Sequence, residues 1–307
     1  MEVSPPHPSP LQQLAHPAAR AAGVRLYCKR DDLLALHPGS PLQGNKLRKL
    51  QPLLAGLDAD KLPTVVSFGG AYSNHLAALA AASAHYGFAT RFYVRGEPVD
   101  NPTLRYVRSR GSTLRFISRT DYRRRHEADF IASLLEAGRD VLVPEGGTTP
   151  EALPYAGQAY TETCVQLGGS PPDYFCLSAG TGGTAAGIVA AAQATATHIE
   201  VYPALKGDWM AAQIGAFTTA GSVDLDLSGL HVVTDYHYGG YAKFPDHWHI
   251  GYRPGAVAMY AELGEPGLPP LEPVYTAKLF SGVLDRIRRG VYPQGATVVI
   301  LHTGGVY

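Results

Sequence analysis

The chain has 307 residues, more than one domain usually holds, so two domains, or one large and one small, are expected. Its 45% hydrophobic and 17% charged residues suit a soluble globular protein with a sizeable core. Lys plus Arg equals Asp plus Glu at 26 each, which excludes a global electrostatic pull toward nucleic acid or an anionic membrane and leaves only a local basic patch open.

The opening stretch, MEVSPPHPSPLQQL, has no basic segment followed by an apolar one and does not read as a secretory signal. No run approaches ~18 apolar residues, so no membrane span is expected. Cys28, Cys164 and Cys176 are odd in number and far apart, which fits reduced thiols and a cytoplasmic location. Strands are expected at 25–29, 64–68, 90–94, 113–117, 140–143, 174–178, 199–203, 231–234 and 297–302. Helical spacing occupies 46–57, with Leu47, Leu50, Leu54 and Leu57 on one face, then 73–86 and 184–196. This alternation argues for α/β layers around mostly parallel sheets. The proline-rich stretches 4–10 and 264–273 read as a tail and a surface connection. The four arginines of 119–125, followed by His126, read as a solvated helix face. His237, His247 and His249 lack the spacing and companions of a zinc site, so no metal is expected and a polar, aromatic loop is the reading.

Three loop-to-helix junctions carry candidate chemistry. In Gln43-Gly44-Asn45-Lys46-Leu47-Arg48-Lys49-Leu50, Gly44 permits a tight turn and Asn45 is a good N-cap. Lys46 then lies in the first helical turn, against the positive end of the helix dipole. That field should loosen its proton and make it a better amine nucleophile. Lys49 shares its face, so one lysine could form an imine while the other neutralises a phosphate. Taken alone, the segment is more simply read as two exposed helix lysines beside a leucine stripe. The second junction is Gly69-Gly70-Ala71-Tyr72-Ser73-Asn74-His75, where helix amides offer an anion site and Ser73, Asn74 and His75 add a hydroxyl, an amide and an imidazole. The third, Gly180-Thr181-Gly182-Gly183-Thr184, lets backbone N–H groups converge on phosphate oxygens, although it is neither a Walker loop nor a clean GxGxxG.

Taken together, GNKLRKL, SFGGAYSNH, PEGGT at 144–148, SAGTGGTAAG, PVYTAK at 273–278 and HTGG at 302–305 are more specific than any one of them. They resemble the pyridoxal 5'-phosphate (PLP)-dependent family of 1-aminocyclopropane-1-carboxylate deaminases and D-cysteine desulfhydrases, from about Arg25 to the end. The resemblance implies an α/β, two-domain, tryptophan synthase β-subunit-like fold (PLP fold type II): three αβα layers and mostly parallel sheets. It places a large discontinuous domain at 1–47 and 156–307 and a small one at 48–155. It implies that Lys46 carries the cofactor, and that Lys49 and the loop of Gly180, Thr181, Gly182, Gly183 and Thr184 hold its phosphate. Asn74 would bond the ring hydroxyl, and Thr276 would meet the pyridine nitrogen with Thr303 nearby. Ser73 would face the substrate carboxylate, with Tyr241, Tyr275 and His75 on the substrate side. A homodimer is implied as well.

Two positions bear on which member this is. The deaminases carry Ser-Asn-Gln where this chain has Ser73-Asn74-His75, as the desulfhydrases do, and they carry Glu where it has Thr276. A carboxylate would keep the ring nitrogen protonated and strongly electron-withdrawing, whereas a threonine hydroxyl leaves a weaker sink. Opening a cyclopropane needs the stronger sink, so the expectation is α,β-elimination on a small amino acid, D-cysteine to pyruvate, sulfide and ammonia, with Lys46 as the α-proton base. Ring opening of 1-aminocyclopropane-1-carboxylate is the alternative, and a PLP-binding protein without turnover is a further one. The segment 236–251, rich in His and aromatics, departs from the family and is expected to shape the substrate pocket.

Overall fold

The computed structural model describes residues 8–58, 61–220, 225–252 and 257–307. From the N-terminus, β1 (Leu11–Gln13) and β2 (Arg25–Lys29) flank α1 (Pro17–Ala21), and α2 (Gly44–Ala55) follows. A block of alternating elements comes next: β3 (Thr64–Gly69), α3 (Asn74–Tyr86), β4 (Ala89–Arg95), α4 (Pro102–Ser109), β5 (Thr113–Ile117), α5 (Arg119–Arg123), α6 (Ala128–Leu134) and β6 (Asp140–Val143). Then α7 (Leu153–Gln166) leads into β7 (Tyr174–Ala179), α8 (Gly183–Ala192), β8 (His198–Pro203), α9 (Met210–Ala220) and β9 (Leu230–Val232). The hairpin of β10 (His249–Tyr252) and β11 (Met259–Glu262), α10 (Thr276–Arg288) and β12 (Thr297–Leu301) complete the order.

Six strands form one sheet in the order β1-β2-β12-β7-β8-β9, parallel except for the edge strand β1. Four form a second, wholly parallel sheet, β5-β4-β3-β6. A parallel strand is buried on both faces, so it reads as a continuous apolar run, and β12 (TVVIL) is buried at every position. Its side chains divide by the period of two: Val298 and Ile300 pack with Ala277, Phe280 and Val283 of α10, while Val299 and Leu301 pack with Ala159 of α7 and Ile188 of α8. Helices therefore cover both faces, giving the expected three layers. In the second sheet Val65, Phe92 and Val94 meet Leu47, Leu50 and Leu54 of α2 and Leu76 and Leu79 of α3.

All nine expected strands occur with ends within two residues. Other expectations are corrected. Helix α8 stops at Ala192, short of 196, and Asn45 is not a cap: Gln43 holds that position, and the Asn45 amide instead donates to Thr184 Oγ1 at 3.1 Å. The stretch 264–273 is not wholly a surface connection, since Leu271 and Glu272 are buried. Helix α7 was not expected. Its buried side carries Leu153 and Tyr160, but Ala156, Gly157, Ala159 and Thr163 between and beside them weaken the apolar stripe. Gly157 lets it approach α8 closely, because a Cβ there would stand 2.7 Å from the Gly187 carbonyl oxygen.

Behind the leucine face, α2 is tied down by a buried ion network. Arg48 donates to both oxygens of Asp31, from Nε at 2.8 Å and Nη2 at 2.9 Å, and to Glu162 of α7 at 2.8 Å. Lys29 of β2 pairs with the same Glu162 at 2.7 Å. Burial raises the Asp31 carboxyl, but the guanidinium outweighs it and holds the group below the usual carboxylate range. This network joins the two blocks at the helix that presents Lys46 and Lys49.

Candidate active site

The three junctions meet in one cavity of about 750 Å³. Lys46 and Lys49 reach it from the first turns of α2, Ser73 and Asn74 from the start of α3, and Gly180, Thr181, Gly182, Gly183 and Thr184 from the turn into α8. Gly44 sets the aim of α2: its φ is +57°, and a Cβ there would meet the Thr303 carbonyl oxygen. Thr303 lines the same wall.

Lys46 stays partly open to the cavity, and burial lowers its ammonium from 10.5 to about 8 against an opposing pull from Glu272. Desolvation is therefore the main cause, where the sequence suggested the helix dipole. Lys49 is buried and lowered further, by burial and by the charge of Lys46, and its Nζ donates to Thr148 Oγ1 at 3.1 Å. Around Lys49 stand the hydroxyls of Thr148, Thr181 and Thr184 and a turn in which Gly182 has φ +85°. A Cβ on Gly183 would run into Thr148. An ammonium, three hydroxyls and a glycine turn at a helix N-terminus form a donor set suited to a phosphate dianion, with an easily deprotonated amine one helical turn away.

Ser73 caps α3 by accepting from the Leu76 N–H at 3.3 Å, and Asn74 Oδ1 accepts from the Tyr307 hydroxyl at 2.7 Å. The Ser67 hydroxyl donates to the Val143 carbonyl at 2.7 Å, so its contact with His75 Nε2 at 2.9 Å requires the ring to donate from Nε2. Nδ1 is then a bare acceptor, buried and unpartnered. Burial and the charges of Lys46 and Lys49 hold His75 well below 6.5, so it is neutral at pH 7. The Tyr241 and Tyr275 rings stand edge to face at 6.2 Å, and burial pushes both phenols up, keeping them protonated.

Thr276 is the expected site residue that does not line the cavity. Fully buried, its hydroxyl accepts from the Glu272 N–H at 3.0 Å and donates to the Glu272 carbonyl at 3.1 Å. Of the segment 236–251, Tyr241 alone reaches the cavity. Tyr236, Tyr238, His247 and Trp248 instead line a separate depression against α10, which corrects the expectation for that segment. Of the arginines of 119–125, Arg119 and Arg123 are exposed, as a solvated face requires, and also border the cavity; Arg125, which borders it too, is half-buried.

Residues 4–234 match the sequence pattern of the family described as pyridoxal-phosphate dependent enzyme. The chain belongs to that family. It is thus a PLP-dependent enzyme of deaminase or lyase type. It is 28% identical over 319 residues to a putative 1-aminocyclopropane-1-carboxylate deaminase of Pyrococcus abyssi, covering 98% of this chain and 90% of that one. It is 29% identical over 322 residues to the 1-aminocyclopropane-1-carboxylate deaminase of Allorhizobium ampelinum, covering 97% and 92%. Among solved structures, an ACC deaminase homologue superposes with a TM-score of 0.77 at 24% identity over 99% of this chain and 91% of that one. The threonine deaminase isoform 2 of Solanum lycopersicum does so at 0.64 and 16% over 98% and 80%. These likenesses make the fold PLP fold type II.

In this PLP-dependent enzyme two residues of the wall, Glu272 and Thr148, and one behind it, Lys278, have roles that the motifs do not announce. Glu272 accepts from the N–H groups of Val274, Tyr275 and Thr276, which start α10, and burial still pushes its carboxyl up to about 7. A carboxylate just ahead of a helical apolar pattern was the available signal. Thr148 lay inside PEGGT without an assigned role. Lys278, inside PVYTAK, donates to the carbonyls of Ala204, His237 and Gly240 at 3.2, 2.9 and 2.7 Å. It holds the loop that carries Tyr241, where Tyr238 and Ala242 have left-handed φ of 51° and 54°.

Proposed function

We propose that this enzyme catalyses α,β-elimination on a small amino acid, converting D-cysteine and water to pyruvate, hydrogen sulfide and ammonia. Pyridoxal phosphate, when bound, supplies an electron sink for the charge left at Cα. Lys46 Nζ would hold the cofactor and would take the α-proton of the substrate. Its lowered pKa suits both roles. Lys49, Thr148 and residues 180–184 would hold the phosphate, and Asn74, steadied by Tyr307, would bond the ring hydroxyl. Ser73 and the amides of α3 orient the substrate carboxylate. Tyr241 or Tyr275, kept protonated, delivers the proton to the departing sulfur, and neutral His75 lies on the same side.

The observation that carries this reading is the state of the α10 terminus. Position 276 has a buried hydroxyl turned to the Glu272 backbone rather than a carboxylate facing the cavity, and the carboxylate that does line the wall there, Glu272, is committed to three backbone N–H groups. Such a site favours a weak sink, adequate for expelling a thiol and poor for opening a cyclopropane. The names of the curated relatives favour a second reading, ring opening of 1-aminocyclopropane-1-carboxylate to 2-oxobutyrate and ammonia. The holoenzyme is incubated with D-cysteine, L-cysteine and 1-aminocyclopropane-1-carboxylate, and sulfide, pyruvate and 2-oxobutyrate are assayed. Sulfide and pyruvate from D-cysteine support the proposal, and 2-oxobutyrate as the dominant product overturns it. The proposal extends to a cytoplasmic homodimer. It also extends to a division into a large domain, 1–47 with 156–307, and a small one, 48–155, a division supported by the segments of the two sheets.

A further inference from the structure

The cavity wall carries more positive charge than the cofactor and an α-carboxylate can answer. Six Lys and Arg side chains line it against two carboxylates, Glu145 and Glu272. The phosphate of the cofactor, of charge about −1.5 to −2, and the substrate carboxylate belong with Lys46, Lys49 and the α3 terminus. That leaves the other end, where the exposed side chains of Arg95 at the end of β4 and of Arg119 and Arg123 border the opening beside the half-buried Arg125.

The floor of that end is built by Tyr122, Glu145, Arg125 and Arg95. Tyr122, buried at 3% exposure, lies under two guanidinium groups, Arg125 at 4.8 Å and Arg95 at 5.7 Å from its ring centre. Its hydroxyl donates to Glu145 at 2.7 Å, and Arg125 pairs with the same carboxylate at 2.8 Å. Glu145 thus answers Arg125 alone. Among the described residues no carboxylate forms an ion pair with Arg95, Arg119 or Arg123. Arg119 and Arg123 are one turn apart on α5, a spacing at which like charges repel. Arg95 and Glu145 both act on the Tyr241 phenol, so this group lies within electrostatic reach of the proposed substrate side.

We infer that Arg119, Arg123 and Arg95 form an anion subsite that selects amino acids whose β-substituent is itself anionic, such as a phosphate ester or a sulfonated thiol. The inference rests on the elimination reading above. The Cα–H bond breaks with its proton going to Lys46. The Cβ–X bond breaks with its electron pair leaving on X, as phosphate or thiosulfate. Water then completes the release of pyruvate and ammonia, with no oxidant or reductant required. The guanidinium end would hold X before and after cleavage and raise the local concentration of anionic substrate.

The test compares racemic O-phosphoserine with racemic β-chloroalanine, whose side chain is uncharged, as substrates of the holoenzyme. The ratio of their kcat/KM values is read in wild type, in Arg119→Gln/Arg123→Gln and in Arg119→Lys/Arg123→Lys. The ratio is expected to favour O-phosphoserine in wild type, to fall about tenfold or more in the Gln variant, and to stay within about threefold in the Lys variant. A ratio unchanged by the Gln substitutions, or a wild type that favours β-chloroalanine, overturns the subsite. Calorimetric binding of O-phosphoserine against alanine separates the two proposals. If neither amino acid yields pyruvate but O-phosphoserine binds more tightly than alanine, and the Gln variant loses that margin, the subsite stands and elimination falls. If the margin is absent in wild type, the subsite falls whatever the chemistry.

Discussion

Replacing Lys46 by Met in the apoprotein should make the fold more stable, and the effect should vanish at high pH. Burial lowers this ammonium from 10.5 to about 8. Below pH 8 the group is charged in both folded and unfolded chains, and folding pays the full cost of moving that charge into the cavity wall. A shift of this size corresponds to about 3 kcal/mol. Lys46 is partly open to the cavity, so water screens some of it, and a gain of about 2 kcal/mol for Lys46→Met at pH 7 is expected. Between pH 8 and 10.5 the folded protein sheds the proton before the unfolded chain does, so the penalty on the wild type declines and is gone above 10.5. Urea unfolding of both apoproteins at pH 7 and pH 10 measures the difference. A variant no more stable than wild type at pH 7, or a gain of the same size at pH 10, would show that the wall does not destabilise the charged amine. The case for Lys46 as a poised nucleophile would then lose its physical basis. The variant should also lose the visible absorption of the bound cofactor.

Arg48→Met should cost about 3–5 kcal/mol in chemical denaturation, because it strands the fully buried Asp31 carboxylate, and adding Asp31→Asn should recover part of the loss. A loss under about 1 kcal/mol would mean that the network is decorative. Gly183→Ala drives a Cβ into Thr148 and should lower PLP affinity about tenfold or more, read by absorbance titration, with an overpacking cost of about 1–3 kcal/mol in unfolding. Retained affinity would place the phosphate elsewhere. Tyr307→Phe removes the donor that fixes Asn74. Stability should fall by about 1 kcal/mol while the absorption band of the bound cofactor shifts, and an unmoved band would detach Asn74 from the ring.

The strands were legible because parallel strands buried on both faces must be apolar runs, as in β12 and β7, and the turns between them are marked by glycine. The helix α2 was legible from Leu47, Leu50 and Leu54, and Lys46 with the loop 180–184 stood out through motifs at loop-to-helix junctions. Helix α10 had a readable pattern in Leu279, Phe280, Val283 and Leu284 that was not taken up. Helix α7 carries only a sparse pattern, Leu153, Ala156 and Tyr160, broken by Gly157, which serves close approach to α8. Local sequence also could not order the causes of the Lys46 shift. The helix dipole is visible in a single segment, but desolvation depends on residues that arrive from distant parts of the chain. The same holds for Thr276, which looks like a cofactor contact in its motif and turns inward to Glu272 in the fold. Sequence by itself thus determined the layers and the residues at the three junctions, because backbone periodicity and turn chemistry are local properties, while the cofactor class followed only from the resemblance of the combined motifs to a known family. Which side chains face the cavity, which are neutral, and how Arg95, Arg119 and Arg123 come to share a wall with Lys46 were decided only by tertiary packing, because burial and electrostatic neighbours are set by residues far apart in the chain.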